Sequence, residues 1–86
     1  MTKSTELADP YVLVATALGH PQQEITLDSA MYRDHGWDSF GHLNVIMAME
    51  SAYGIVIEDT DVEKYKSMKA IVEFYERIRG EGRGKR

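Results

Sequence analysis

The chain has 86 residues, of which 43% are hydrophobic, with a formal net charge of −4 and no cysteine. This length accommodates one domain with a thin core, the hydrophobic content excludes disorder throughout, and no run approaches the roughly 18 apolar residues that a membrane span needs. The lack of cysteine excludes disulfides, thiolate zinc sites and cysteine nucleophiles, so any thiol chemistry requires an imported thiol.

The N-terminal part predicts a short first helix. Residues 1–8 lack the apolar block of a secretory signal and are expected to be a flexible lead. Asp9 and Pro10 then have the order of an N-cap and a first-turn proline, and Gly19 is suited to end the helix. Helix one is therefore predicted over residues 10–18, with apolar residues at helical spacing: Tyr11, Val14, Ala15 and Leu18.

A long connection from His20 to Trp37 follows. Its apolar residues indicate that it lies across the helices and is pinned to them, with a short turn near Ser29–Tyr32. A strand over residues 24–27 is an alternative, but the sequence offers no second strand to pair with it. Trp37 is expected either to pack this loop against the following helix or to flank the site described below.

The second predicted helix covers residues 39–53 and is apolar on two sides. One stripe suits the core and contains Val45, Ile46, Met49 and Tyr53. The other is centred about 140° away at 100° per residue and contains Phe40, Leu43 and Met47. Both sides could be buried, but so small a protein has few elements to cover them. The second stripe is therefore predicted to be an exposed docking surface.

Two further helices are predicted before the C-terminus. Residues 61–65 make about one turn, and Ser67 is an N-cap for a fourth helix. The inward stripe of this helix includes Met68, Ile71, Val72, Tyr75 and Ile78. Residues 80–86 are expected to be a flexible basic tail. Together with the two helices before it, this part of the sequence predicts an all-α bundle of four helices.

Asp38 and Ser39 lie at the start of the second helix. Asp38 is a good N-cap, which places Ser39 in the first turn, where free N–H groups and the helix dipole favour an attached phosphate. Ser39 is a poor catalytic nucleophile, because Trp37-x-Ser39-x-Gly41 lacks the first glycine of a nucleophile elbow. The serine is an N-cap itself, an ordinary exposed hydroxyl or a modification site. The acid before it, the polar loop with glycine that precedes it and the two-sided apolar helix after it favour the modification site.

The spacing of the histidines and the distribution of charge argue against metal binding and nucleic-acid binding. The three histidines are too far apart in sequence to match zinc motifs, so no metal is expected; His42 is predicted to pack in the core, and His35 could touch a group attached at Ser39. From Asp34 to Glu63 there are seven acids and no lysine or arginine. This field disfavours nucleic acid and favours basic partners, although a merely solvated face would look the same.

From about residue 9 to residue 78 the chain resembles the acyl carrier proteins. The resemblance lies in the Asp38-Ser39 pair, the apolar helix that follows it and its Tyr53-Gly54-Ile55 ending. It implies an acyl-carrier-like four-helix bundle over residues 9–79, with a long first loop and a short third helix. It also implies that a phosphopantetheinyl transferase attaches 4′-phosphopantetheine from coenzyme A to Ser39. In that family the acid at Asp38 helps the transferase; a pure capping role is equally compatible.

The resemblance further implies a cytoplasmic, monomeric carrier of acyl or aminoacyl thioesters without catalysis of its own and without nucleic-acid or membrane partners. Acyl-loading and acyl-processing enzymes would contact the second helix at Phe40, Leu43, Met47 and Glu50. Fatty-acid carriers commonly have acids two and five residues after the serine and a pair of acids in mid-helix. Here those places are Gly41, Asn44 and Glu50-Ser51, which favours a specialised discrete carrier over the general fatty-acid one. Fatty acid, polyketide and other specialised pathways all stay open. The alternatives are an unmodified interaction module and a small DNA-binding domain.

Overall fold

The computed structural model describes residues 7–33 and 36–84, with side chains described as far as residue 80. Three α-helices make up most of the described chain: α1 (Pro10–Leu18), α2 (Ser39–Tyr53) and α3 (Met68–Gly84). Short 3₁₀ helices lie at Gln22–Glu24 and Asp59–Tyr65. The second of these is the predicted short third helix, so the described residues form the predicted all-α, carrier-like arrangement of four helices without a strand.

The predicted capping residues define the helix ends. The Asp9 carboxylate accepts a hydrogen bond from the Tyr11 backbone N–H, and Gly19 follows α1 in the left-handed conformation at φ 73°. Gly54 follows α2 in the same conformation at φ 65°. The Ser67 hydroxyl accepts from the Ala70 backbone N–H at 3.2 Å at the start of α3. These local signals work because each satisfies a backbone group that a helix end leaves without a partner.

The core is formed by one face of each of the three α-helices, by the loop between α1 and α2, and by Ile57 after α2. The predicted residues Val45, Ile46, Met49 and Ile71 are all buried, as are Leu13 and Phe74, which the sequence analysis did not assign to the core. The complete buried apolar cluster consists of Leu13, Val14, Ala15, Ile25, Trp37, Val45, Ile46, Met49, Tyr53, Ile57, Met68, Ile71 and Phe74.

The loop between α1 and α2 is pinned to the start of α3. The Met31 N–H donates to the Lys66 carbonyl at 2.8 Å, and the Met68 N–H donates to the Ser29 carbonyl at 2.9 Å. These bonds form one isolated bridge between Ala30 and Ser67. The prediction of a pinned loop is confirmed, whereas the alternative strand over residues 24–27 does not form, because residues 22–24 take a 3₁₀ turn instead.

The last helix is longer than predicted. The sequence predicts a flexible tail from Gly80, but α3 continues to Gly84. A glycine inside a helix costs up to about 1 kcal/mol relative to alanine, which weakens a helix without forbidding its dihedral angles. The helix therefore passes through the glycine-rich segment. Residues 1–6 of the predicted lead, which covers residues 1–8, and the last two residues of the tail lie outside the described residues.

Candidate functional site

The site is built at the first turn of α2. The Asp38 side chain accepts a hydrogen bond from the Gly41 backbone N–H at 2.9 Å, which confirms its N-cap role. Ser39 is the first residue of the helix and is exposed. Because Asp38 supplies the cap, the Ser39 hydroxyl does not serve as the cap and points to a different neighbour.

That neighbour is Tyr32, in the loop between α1 and α2. Its hydroxyl lies 2.7 Å from the Ser39 hydroxyl, and either oxygen could donate. Tyr32 has φ 69°, a left-handed conformation that costs an L-residue about 1–2 kcal/mol. The sequence does not predict this contact, because a tyrosine carries no signal for a conformation that glycine and asparagine usually occupy.

Trp37 fixes the loop beneath the site. Its side chain is fully buried, and its carbonyl accepts a hydrogen bond from the Tyr32 backbone N–H at 2.7 Å. The prediction that Trp37 packs the loop against α2 is confirmed, and its burial excludes the alternative in which it flanks the serine from outside. Tyr32 is therefore held by a backbone bond to a residue anchored in the core.

His42 joins the same anchor. Trp37 Nε1 donates to His42 Nδ1 at 3.1 Å, and His42 Nε2 lies 2.8 Å from the Val62 carbonyl oxygen. An indole N–H can only donate and a carbonyl can only accept, so the imidazole is neutral with its proton on Nε2. His42 is the predicted packing histidine: it links α2 to the second 3₁₀ helix.

A close backbone contact brings the loop onto α2. A Cβ atom on Gly41 would overlap the carbonyl oxygen of Gly36 and lie 2.9 Å from Leu18 Cδ2. Gly36 itself has φ 83°. The lack of an acidic side chain at residue 41, which the sequence shows as a departure from fatty-acid carriers, thus has a structural reason, because the loop occupies the space.

A groove of about 490 Å³ opens beside Ser39. It lies between the loop that carries Tyr32 and the segment that joins the second 3₁₀ helix to α3. Two cations line it, but each is paired: Lys64 lies 3.0 Å from Asp61, and Lys66 lies 3.2 Å from Glu63. The lining residues are Ala30, Met31, Tyr32, Ser39, Glu63, Lys64, Lys66 and Ser67.

The second apolar stripe of α2 is exposed. Phe40, Leu43 and Met47 retain 79%, 53% and 56% of their accessible surface. The interpretation that both sides of the helix are buried is therefore wrong for this side. These three residues, called the α2 stripe below, begin directly after Ser39 and continue along the helix.

Glu50 has a structural contact as well as its predicted partner role. It is half-buried, and its carboxylate accepts a hydrogen bond from the Ile57 backbone N–H at 2.9 Å. This bond ties the chain after α2 back to the helix. The spacing of seven residues across a glycine turn gave no signal for it in the sequence.

The described residues bear on two further features, a cluster of metal ligands and a membrane-spanning helix. Among the described side chains, those of residues 7–33 and 36–80, no three of the histidine or acidic type cluster as metal ligands would. Within the same ranges no helix combines the length and the apolar character needed to cross a membrane. His20 pairs with Glu24 at 3.3 Å. The predicted contact of His35 lies outside the described residues.

Comparison with known proteins agrees with this geometry. Residues 12–75 match the family described as the phosphopantetheine attachment site. The chain is 37% identical over 76 residues, which is 88% of its length and 96% of the relative's, to an acyl carrier protein of Exiguobacterium sibiricum. It is 34% identical over 74 residues to an acyl carrier protein of Cyanidium caldarium, covering 86% of each chain.

A more distant relative has a numbered name. Over 64 residues the chain is 31% identical to acyl carrier protein 2 of Pseudomonas aeruginosa, covering 74% of this chain and 81% of the relative. The matched segments include the whole of α2, and the family description implies a 4′-phosphopantetheine prosthetic group. An exposed serine at a helix start, beside an open groove, is compatible with such a group.

Proposed function

The chain belongs to the acyl carrier protein family, and on this premise we propose that Ser39 bears the 4′-phosphopantetheine arm. The proposal depends on one observation: Ser39 is exposed on the first turn of α2, and its hydroxyl is not needed to cap the helix because the Asp38 carboxylate does so. A phosphodiester there meets free backbone N–H groups and the positive end of the helix dipole.

The attachment is carried out by a separate phosphopantetheinyl transferase. Ser39 Oγ attacks the phosphorus that bears the pantetheine in coenzyme A and forms a new P–O bond. The bond from that phosphorus to the bridging pyrophosphate oxygen breaks, 3′,5′-ADP leaves, and the hydroxyl proton passes to a base of the transferase. Asp38 caps the helix and is exposed, so a contact with the transferase remains part of the proposal.

With the arm attached, the protein acts as a carrier. The arm supplies the thiol that this cysteine-free chain lacks, and an acyl or aminoacyl group is held on it as a thioester. Tethering raises the effective concentration of the cargo at each partner enzyme, and the protein contributes no catalytic group of its own. Residues 9–79 form the carrier domain of a cytoplasmic monomer.

Acyl-loading and acyl-processing enzymes dock on the α2 stripe. Its three apolar side chains are exposed next to Ser39, and the seven acids between Asp34 and Glu63 attract basic partner surfaces. Gly41 and Asn44 stand where fatty-acid carriers commonly have acids, which supports a specialised pathway that relies more on apolar contact. Glu50 joins this surface from the half-buried position that it occupies beside Ile57.

Co-expression with a broad-specificity phosphopantetheinyl transferase tests the attachment. We expect the intact mass of the wild type to increase by one phosphopantetheine, and the mass of Ser39→Ala to stay unchanged. Ser51→Ala is the matched control, because it removes an exposed serine from the same helix and should still gain the arm. A wild-type protein left unmodified by a transferase that modifies another carrier in the same cells would instead support an unmodified interaction module.

A further inference from the structure

Tyr32 places a second hydroxyl at the attachment point. Its side chain is 73% exposed, yet its oxygen lies 2.7 Å from the Ser39 hydroxyl. Packing does not hold an aromatic side chain that is so exposed, so the backbone sets its position. The left-handed φ of 69° and the bond from the Tyr32 N–H to the Trp37 carbonyl fix the loop in the conformation that brings the two oxygens together.

Attachment of the arm would remove the ambiguity in this hydrogen bond. In the unmodified protein either hydroxyl can donate. Once Ser39 Oγ is esterified it has no hydrogen, and a phosphodiester has acceptor oxygens only. The Tyr32 O–H is then the donor of the pair, and hydrogen bonds to an ionised acceptor are shorter and stronger than those between neutral groups.

We propose that Tyr32 is a positioning residue for the phosphopantetheine arm. Its hydroxyl donates to the phosphodiester on Ser39 and restricts the directions in which the arm leaves the protein. Tyr32 and Ser39 both line the groove of about 490 Å³, so an arm held at its phosphate starts at the mouth of that groove. This proposal rests on attachment of the arm to Ser39.

The neighbouring cations do not replace Tyr32 in this role. Lys64 and Lys66 line the same groove, but each lies within about 3 Å of an acid on the 3₁₀ helix, which offsets its charge locally. Both lysine side chains are also well exposed, and at an exposed position an ion pair with the phosphate would contribute little. The Tyr32 hydroxyl, which lies 2.7 Å from the attachment oxygen, is therefore the more specific contact.

Proton and phosphorus NMR of the arm-bearing protein test the proposal. In the wild type we expect nuclear Overhauser effects between the Tyr32 ring protons and the methylene protons next to the phosphate. In Tyr32→Phe the ³¹P resonance should move most of the way towards its position in the urea-unfolded, arm-bearing protein. Tyr11→Phe is the control; it removes a hydroxyl from α1 and should leave the resonance in place.

Two results would overturn the proposal: a ³¹P resonance that is the same in Tyr32→Phe and the wild type, or a wild-type spectrum without the expected Overhauser effects. Should Tyr32→Phe lose its helical circular dichroism, the wild-type Overhauser effects decide by themselves. Measuring the intact mass of the same sample shows whether the arm is attached, so failure of the Tyr32 proposal can be told apart from failure of the proposed function. An unmodified wild type would contradict attachment, whereas a modified protein with a freely rotating phosphate contradicts the role of Tyr32 alone.

Discussion

Tyr53 connects the end of α2 to the segment before α1. Its hydroxyl donates to the Ala8 carbonyl at 2.9 Å, and its ring lies against Phe74 and Tyr75. Burial raises the pKa of the Tyr53 phenol well above its usual value of about 10, and Tyr75 and the Asp9 carboxylate raise it further. The folded protein therefore keeps a proton that the unfolded chain releases in alkali.

This difference predicts a loss of stability at high pH. Above pH of about 10 the unfolded state binds fewer protons than the folded state, so the free energy of unfolding falls as the pH rises. The decrease due to Tyr53 is at most about 1.4 kcal/mol per pH unit. Urea denaturation between pH 9 and 11 (roughly the range that brackets the phenol pKa) should show a steeper decrease for the wild type than for Tyr53→Phe.

The control for this effect is Tyr11→Phe, on α1. It keeps the buried Tyr53 phenol, so its free energy of unfolding should still fall more steeply with pH than that of Tyr53→Phe. Tyr53→Phe is also expected to lose the hydrogen bond to Ala8, which lowers its stability at every pH. The test is therefore the slope of the free energy of unfolding against pH, and equal slopes for the wild type and Tyr53→Phe would contradict a raised pKa of Tyr53.

Single residues differ in how far the sequence identifies their roles. Asp38 and Ser39 are recognisable because a cap and the residue after it are local features. Tyr32 is not, since its contact with Ser39 depends on a left-handed backbone angle and on the burial of Trp37. His42 was assigned to the core from its side of the helix, but its link to Val62 depends on the tertiary fold.

At the scale of helices, two glycines in α2 and α3 have opposite surroundings. Gly41 faces the Gly36 carbonyl, where a Cβ atom has no room, whereas a Cβ atom on Gly80 would meet nothing within 4 Å. In a helix that tolerates the added atom, replacing glycine by alanine normally stabilises the protein by up to about 1 kcal/mol. The two positions should therefore respond with opposite signs.

We expect Gly80→Ala to raise the free energy of unfolding by up to about 1 kcal/mol. Gly41→Ala should lower it by about 1–3 kcal/mol, because the new methyl group pushes the loop off α2. Thermal or urea denaturation followed by circular dichroism measures both. A stabilised Gly41→Ala would show that the loop does not lie against the helix at this point.

The ends of helices show the limits of local signals. The predicted bounds of α1 and α2 agree with the structure, because strong caps stand at both ends of each helix. The end of α3 was placed too early, since glycine alone is a weak stop signal. The short third helix begins earlier than predicted, at Asp59, and is a 3₁₀ helix, a difference that apolar spacing over one turn does not resolve.

Over the whole molecule, the apolar residues divide into a buried set that forms the core and an exposed set that is available to partners. Met47 and Met49 lie on the same helix, two residues apart, yet Met47 is 56% exposed and Met49 is fully buried. A flexible thioether on an exposed stripe suits a surface that binds several partners. The same substitution at the two positions therefore tests the proposed docking surface against the core.

Met47→Glu should keep the wild-type helical circular dichroism and slow modification by the transferase, the first partner that the proposal requires. We expect kcat/KM to fall about tenfold, the effect of losing about 1.4 kcal/mol of contact energy. Met49→Glu should unfold the protein, because an unpaired carboxylate in the core costs several kcal/mol. If Met47→Glu also unfolds, the α2 stripe belongs to the core.

The bounds and caps of α1 and α2, the core side of α2 and the serine at its start follow from the local sequence, since all of these depend on neighbours within a few residues. The reason why residue 41 is glycine and the contact between Tyr32 and Ser39 appear only in the tertiary structure. These features depend on the path of the loop between α1 and α2. That path is fixed by the buried Trp37 and by backbone bonds to α3, which no local pattern encodes.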